Sequence, residues 1–124
     1  MDKYDQEIYR EEILEHYRHP QNFGAIIKPT HVGSSENPLC GDSIILELSI
    51  KNKKVSDVRF RGSGCALSTA SASLFTEWIK GKPEKTLKNV SDDVLFQLIK
   101  APITPMRRGC VLLPLSALRK AINV

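Results

Sequence analysis

The chain has no Cys-x-x-Cys element, no internal repeat, no low-complexity tract and no apolar run approaching membrane-spanning length. A bilayer-crossing helix needs about 20 consecutive apolar residues, so no membrane association is expected. Cysteines number three; an odd count argues against a disulfide framework and fits a reducing compartment. The first residues are charged rather than apolar, which reads as a helix and not an export signal, so the expected location is cytoplasmic. Aromatics are only 6% of the residues, and none interrupts the cluster Lys51, Lys53, Lys54. That cluster reads as a solvated turn, and no nucleic-acid partner is expected.

What is present suits one ordinary domain over residues 1–124, with 41% hydrophobic and 26% charged residues. The formal net charge of +4 is unevenly laid out. Residues 1–15 hold six acids against Lys3 and Arg10, which leaves sixteen bases against eight acids in the remainder. This reads as an acidic leading helix on a basic body.

Apolar periodicity from Tyr4 through Ile8, Ile13 and Leu14 to Tyr17 predicts a helix that Pro20 ends. A loop containing Gly24, Pro29, Gly33, Asn37 and Pro38 follows. Alternation predicts strands over Ser43–Ile50 and Val55–Arg61, joined as an antiparallel hairpin by the turn 51–54. Helices are expected over Ala66–Lys80, Asp92–Lys100 with Ser91 as N-cap, and about Val111–Ile122, where Pro114 is tolerable only near the first turn. Small residues Ala66, Ala70 and Ala72 should let the first of these approach the sheet closely. The expected fold class is α+β, a small antiparallel sheet with helices packed on it.

The three cysteines share one setting. Cys40 stands in Pro38-Leu39-Cys40-Gly41-Asp42, Cys65 in Gly62-Ser63-Gly64-Cys65, and Cys110 in Arg107-Arg108-Gly109-Cys110. A single cysteine in such a chain is usually a small buried hydrophobe. Three of three beside glycine, with Cys65 and Cys110 opening helices, point elsewhere. Cys40 precedes one hairpin strand and Cys65 follows the other, so both should lie at the same end of the sheet. Three thiolates and the Asp42 carboxylate make a complete tetrahedral set for zinc or for iron in an iron–sulfur cluster. Helix N-termini should lower the thiol pKa values, and Arg107 and Arg108 should offset the net negative charge of the site. His16 and His19 read as caps at a helix C-terminus, His31 as a solvated loop residue, and Trp78 as core.

The chain resembles the U-type iron–sulfur cluster assembly proteins, comprising IscU, the N-terminal domain of NifU, and SufU. The resemblance runs through His16-Tyr17-Arg18-His19-Pro20-Gln21-Asn22-Phe23-Gly24, Asn37-Pro38-Leu39-Cys40-Gly41-Asp42, Gly62-Ser63-Gly64-Cys65-Ala66-Leu67-Ser68-Thr69-Ala70-Ser71-Ala72-Ser73 and Arg107-Arg108-Gly109-Cys110. It implies a SufE/NifU-like fold with about three antiparallel strands. It also implies a transient 2Fe–2S cluster, or Zn2+ in the protein as purified, on Cys40, Asp42, Cys65 and Cys110. Sulfur would come as persulfide from a cysteine desulfurase, with Cys40 or Cys110 as acceptor, and the cluster would pass to acceptor apoproteins. The implied role is that of a scaffold or carrier rather than an enzyme.

This chain departs from the pattern at two places. IscU has a histidine before its third cysteine, where Gly109 stands here. The segment Ile103-Thr104-Pro105-Met106-Arg107 matches only in part the Leu-Pro-Pro-Val-Lys that an Hsp70-type chaperone reads in IscU. The absent histidine is similar to SufU, a zinc-dependent sulfurtransferase, whereas the 45-residue step from Cys65 to Cys110 is similar to the compact scaffold form. Both branches stand open on the sequence.

Overall fold

The computed structural model describes residues 3–123, with side chains from residue 10 onward. Helix α1 covers Lys3–Arg18 and stops two residues before Pro20, as expected. Tyr4 and Ile8 of the apolar pattern, and the acids Asp2, Asp5 and Glu7, lie outside the described side chains. Three antiparallel strands follow in spatial order, β1 (His31–Asn37), β2 (Asp42–Lys51) and β3 (Lys54–Ser63). The hairpin between β2 and β3 turns on Asn52 and Lys53, both left-handed at φ 54° and 64°. Two successive positive-φ residues match the right-handed twist of the flanking strands.

Alternation works as anticipated in β2 and β3. Ile44, Leu46 and Leu48, with Val55, Val58 and Phe60, face inward and are nearly or fully buried. Burying each such side chain contributes about 1.5–3 kcal/mol. Helix α2 (Ala66–Ile79) packs near β3, and α5 (Arg108–Ala121) lies over β1 and β2. The short α3 (Glu84–Leu87) and then α4 (Asp92–Ile99) connect them, α4 packing against both α2 and α5. Ser91 holds the N-cap position of α4 but its side chain makes no capping bond. Phe75, Ile79, Leu95, Leu115 and Leu118 complete the core, and Trp78 is half-buried against it, its ring stacked on Phe75.

Three expectations change. His31 is not in a loop, because residues 31–37 form the edge strand β1. Two serines of α2 tie it to its neighbours. Ser71 donates to the Val111 carbonyl of α5 at 2.6 Å, while Ser73 accepts from the Gln21 amide and bonds His16 Nδ1 at 2.7 Å. His16 is therefore not a simple surface cap, whereas His19 is exposed. Finally, α5 begins at Arg108 after a 3-10 turn, Pro105–Arg107. Pro114 thus falls in its second turn and cannot donate to the Cys110 carbonyl four residues earlier.

Residues 22–24 run along the edge of β3, the Gly24 amide donating to the Phe60 carbonyl and the Phe60 amide to that of Asn22. Phe23 bridges Phe60 on the free edge of β3. The chain then crosses to β1, its Ile26 amide donating to the buried Glu47 carboxylate at 3.0 Å while Arg61 pairs with the same oxygen at 2.8 Å. A buried carboxylate without such partners would be costly.

Candidate metal centre

Three chain connections meet at one end of the sheet. The register pairs Asn37 with Asp42 and Ser43 with Ser63, so the β1–β2 turn carrying Cys40 lies beside the β3–α2 junction carrying Cys65. In the β1–β2 turn, the Cys40 and Gly41 amides both donate to the Asn37 carbonyl, at 3.2 and 2.8 Å. Gly41 closes the turn at φ +72°, a conformation that glycine adopts without strain. Asp42 then starts β2 with its carboxylate turned inward and 4% exposed.

Cys65 is the N-cap of α2. Its sulfur accepts from the Ser68 amide at 3.4 Å, and its own amide donates to Asp42 Oδ1 at 3.2 Å. The Cys65 Sγ lies 3.6 Å from Asp42 Oδ2. Cys110, third residue of α5, is fully buried and brings its sulfur to 3.3 Å from Cys40 Sγ. One ligand atom each from Cys40, Asp42 and Cys110 lies within 4.8 Å of the others. Cys65 stands beside this trio, joined to it through Asp42.

Exposure separates the thiols. Cys40 is exposed, Cys65 intermediate and Cys110 buried. Leu39 and Met106, 85% and 76% exposed, form with Arg107 an apolar and cationic rim around Cys40 and Cys65. The expectation of lowered thiol pKa values fails at Cys110. Burial foremost, and then the adjoining Cys40, Cys65 and Asp42, push its thiol well above the ordinary range. Desolvation disfavours the charged form, and here it outweighs the helix end. Arg108, expected to offset site charge, lies over the Phe96 ring at 4.4 Å; Arg107 alone of the pair lines the depression. His31 pairs with Leu48 at the far end of β1, six residues or about 20 Å from Asn37.

Two contributors escaped the sequence reading. Ser68 was visible as a helix residue three positions after Cys65, the spacing at which a cap partner sits. Asn37 was visible only as part of the segment before Cys40. Its carboxamide nitrogen lies 3.8 Å from Cys110 Sγ.

The chain matches the family profile described as NifU-like N terminal domain over residues 8–124. It is 35% identical over 116 residues to the iron–sulfur cluster assembly scaffold protein IscU 1 of Archaeoglobus fulgidus, covering 93% of this chain and 74% of that protein. It is 40% identical over 84 residues to the zinc-dependent sulfurtransferase SufU of Bacillus subtilis, covering 68% of this chain and 56% of that one. Among solved structures, a candidate cluster-assembly scaffold for the SUF system from Fervidobacterium islandicum superimposes with TM-score 0.77 at 29% identity, over 94% of this chain and 98% of that one. The expected SufE/NifU-like sheet of three strands under helices is present, and the chain belongs to the NifU-like N-terminal domain family, with IscU and SufU proteins of iron–sulfur cluster assembly among its relatives.

Proposed function

We propose that the chain is an iron–sulfur cluster assembly scaffold that receives sulfur from a cysteine desulfurase, builds a transient 2Fe–2S cargo and passes it to acceptor apoproteins. The observation that carries this reading is the convergence of Cys40, Asp42 and Cys110 within 4.8 Å, with Cys65 held on Asp42. The donor set fits a metal. Tetrahedral bonds of about 2.3 Å place two sulfurs about 3.8 Å apart, and the Cys40–Cys110 separation of 3.3 Å needs only slight opening to match. A carboxylate among thiolates is the hard, weakly held ligand, which suits a site that must release what it holds.

Sulfur enters at Cys40, the exposed thiol. Its thiolate attacks the outer sulfur of the desulfurase persulfide; the donor's S–S bond breaks and the donor thiolate leaves. Cys40 then carries the persulfide. The rim of Leu39, Met106 and Arg107 gives the donor a surface to seat on. Segment 103–107 stays largely exposed beside it, within reach of an Hsp70-type chaperone. Among the described residues no helix is long and apolar enough to cross a membrane, and we place the protein in the cytoplasm.

A second reading is a SufU-type zinc-dependent sulfurtransferase, favoured by the exposure of Cys40 alone and by Gly109 before Cys110. Zinc bound at the four residues would keep the thiols deprotonated and hold the loops together. Anaerobic incubation with a cysteine desulfurase, cysteine, ferrous iron and a dithiol reductant, which supplies the two electrons that turn each persulfide sulfur into sulfide, separates the readings. Equal iron and acid-labile sulfide, transferable to an apo-ferredoxin, supports the scaffold. Stoichiometric zinc with persulfide on Cys40 and no cluster supports the sulfurtransferase. Neither outcome, with all three thiols unmodified, rejects both.

A further inference from the structure

Asn37 has a place in the centre that the ligand set does not explain. It ends β1 with 9% exposure, and its groups are spent on two separate parts of the site. Its Oδ1 accepts from the Leu39 amide at 3.3 Å, and its carbonyl accepts from the Cys40 and Gly41 amides. Its Nδ2 donates instead towards Cys110 Sγ, 73 residues away, at 3.8 Å. One side chain thereby ties the turn that bears Cys40 to the helix that bears Cys110.

That carboxamide sits in space which residue 109 leaves empty. A Cβ on Gly109 would lie 2.9 Å from Asn37 Nδ2 and 3.4 Å from its Cγ, closer than carbon and nitrogen tolerate. The carboxamide is fixed at Oδ1 by the turn, so it cannot swing aside without losing the Leu39 bond. A side chain at 109 therefore presses on the Asn37 N–H and strains its contact with Cys110.

We propose that Asn37 is a positioning residue of the metal centre, its N–H orienting and tuning the Cys110 sulfur, and that glycine at 109 is what admits it. This rests on the reading of Cys40, Asp42, Cys65 and Cys110 as a metal site. An N–H donor on a ligating sulfur fixes which lone pairs face the metal and draws electron density from the metal–sulfur bond.

The test titrates Co2+ anaerobically into the full chain and follows the sulfur-to-cobalt charge-transfer band. In N37S the hydroxyl can still accept from the Leu39 amide but does not reach Cys110; N37D keeps the shape and the acceptor without the donor. Both should weaken Co2+ binding about 10–100-fold and move the band to lower energy. G109A should do the same by displacing the carboxamide. In N37S/G109A the two effects should not add, because each removes the same contact. Wild-type affinity and band position in N37S and N37D would overturn the proposal, as would full additivity in the double variant. A second arm needs no metal. Iodoacetamide labelling of the metal-free protein, mapped by mass spectrometry, should modify Cys110 faster in N37S than in wild type, with Cys40 unchanged. If wild type takes up no Co2+, the metal reading fails while faster Cys110 labelling still supports the contact. Unchanged Cys110 labelling overturns the contact itself.

Discussion

Cys110 combines the least access to water of the three thiols with a second sulfur at 3.3 Å, and both features hold its proton on. In the unfolded chain that thiol ionises near its ordinary value of about 8.5; in the folded, metal-free protein it does so well above. The sign follows. Below the ordinary value both states keep the proton and the contribution to stability is whole. Above it the unfolded chain sheds a proton that the fold retains, so the contribution is lost as pH rises. The urea midpoint of the metal-free protein should accordingly fall between pH 8 and pH 11, and fall less steeply in C110A. Equal slopes in the two proteins would show that Cys110 keeps its proton no better folded than unfolded. The thiols themselves were legible in the sequence, since glycine neighbours mark all three. The burial of Cys110 was not, because it depends on α5 lying over β1.

Strand β1 shows where reading by element ran out. The hairpin of β2 and β3 was legible because its inward positions are Ile, Leu, Val and Phe, alternating with polar neighbours. In β1 the inward positions are Gly33, Ser35 and Asn37, which carry no apolar signal at all. They are small because α5 lies directly on them. A Cβ at Gly33 would run into the Ala117 carbonyl and the Ala121 backbone, and Ser35 bonds Ser116 at 2.8 Å. Gly33→Ala should therefore cost about 1–3 kcal/mol by overpacking, read as a lower denaturant midpoint. A midpoint equal to wild type would mean that α5 can back away freely. Helix α3 and the 3-10 turn, four and three residues long, are too short to show a period. The start of α5 was misplaced because Arg107, Arg108 and Gly109 lack an apolar stripe.

Across the whole molecule the centre joins segments far apart in sequence, at the β1–β2 turn, the β3–α2 junction and the head of α5. An ion bound only by the folded arrangement raises stability by mass action, about 4 kcal/mol when free metal is a thousandfold above the dissociation constant. Stoichiometric Zn2+ should thus raise the melting temperature of the wild-type chain by several degrees. In C65S the rise should shrink, a hydroxyl being a poorer ligand than a thiolate. An undiminished rise in C65S would remove Cys65 from the ligand set. That Cys40 and Cys65 share an end of the sheet was legible from hairpin logic. That Cys110 joins them follows only from the path of α4 and α5.

Pro114 gives this arrangement a weak rung. The first turn of α5 is clipped to the next without the bond that a proline cannot make, and that turn holds the most deeply set sulfur. Opening that first turn therefore breaks one backbone bond fewer than an uninterrupted helix would require, at the point where the buried Cys110 sits.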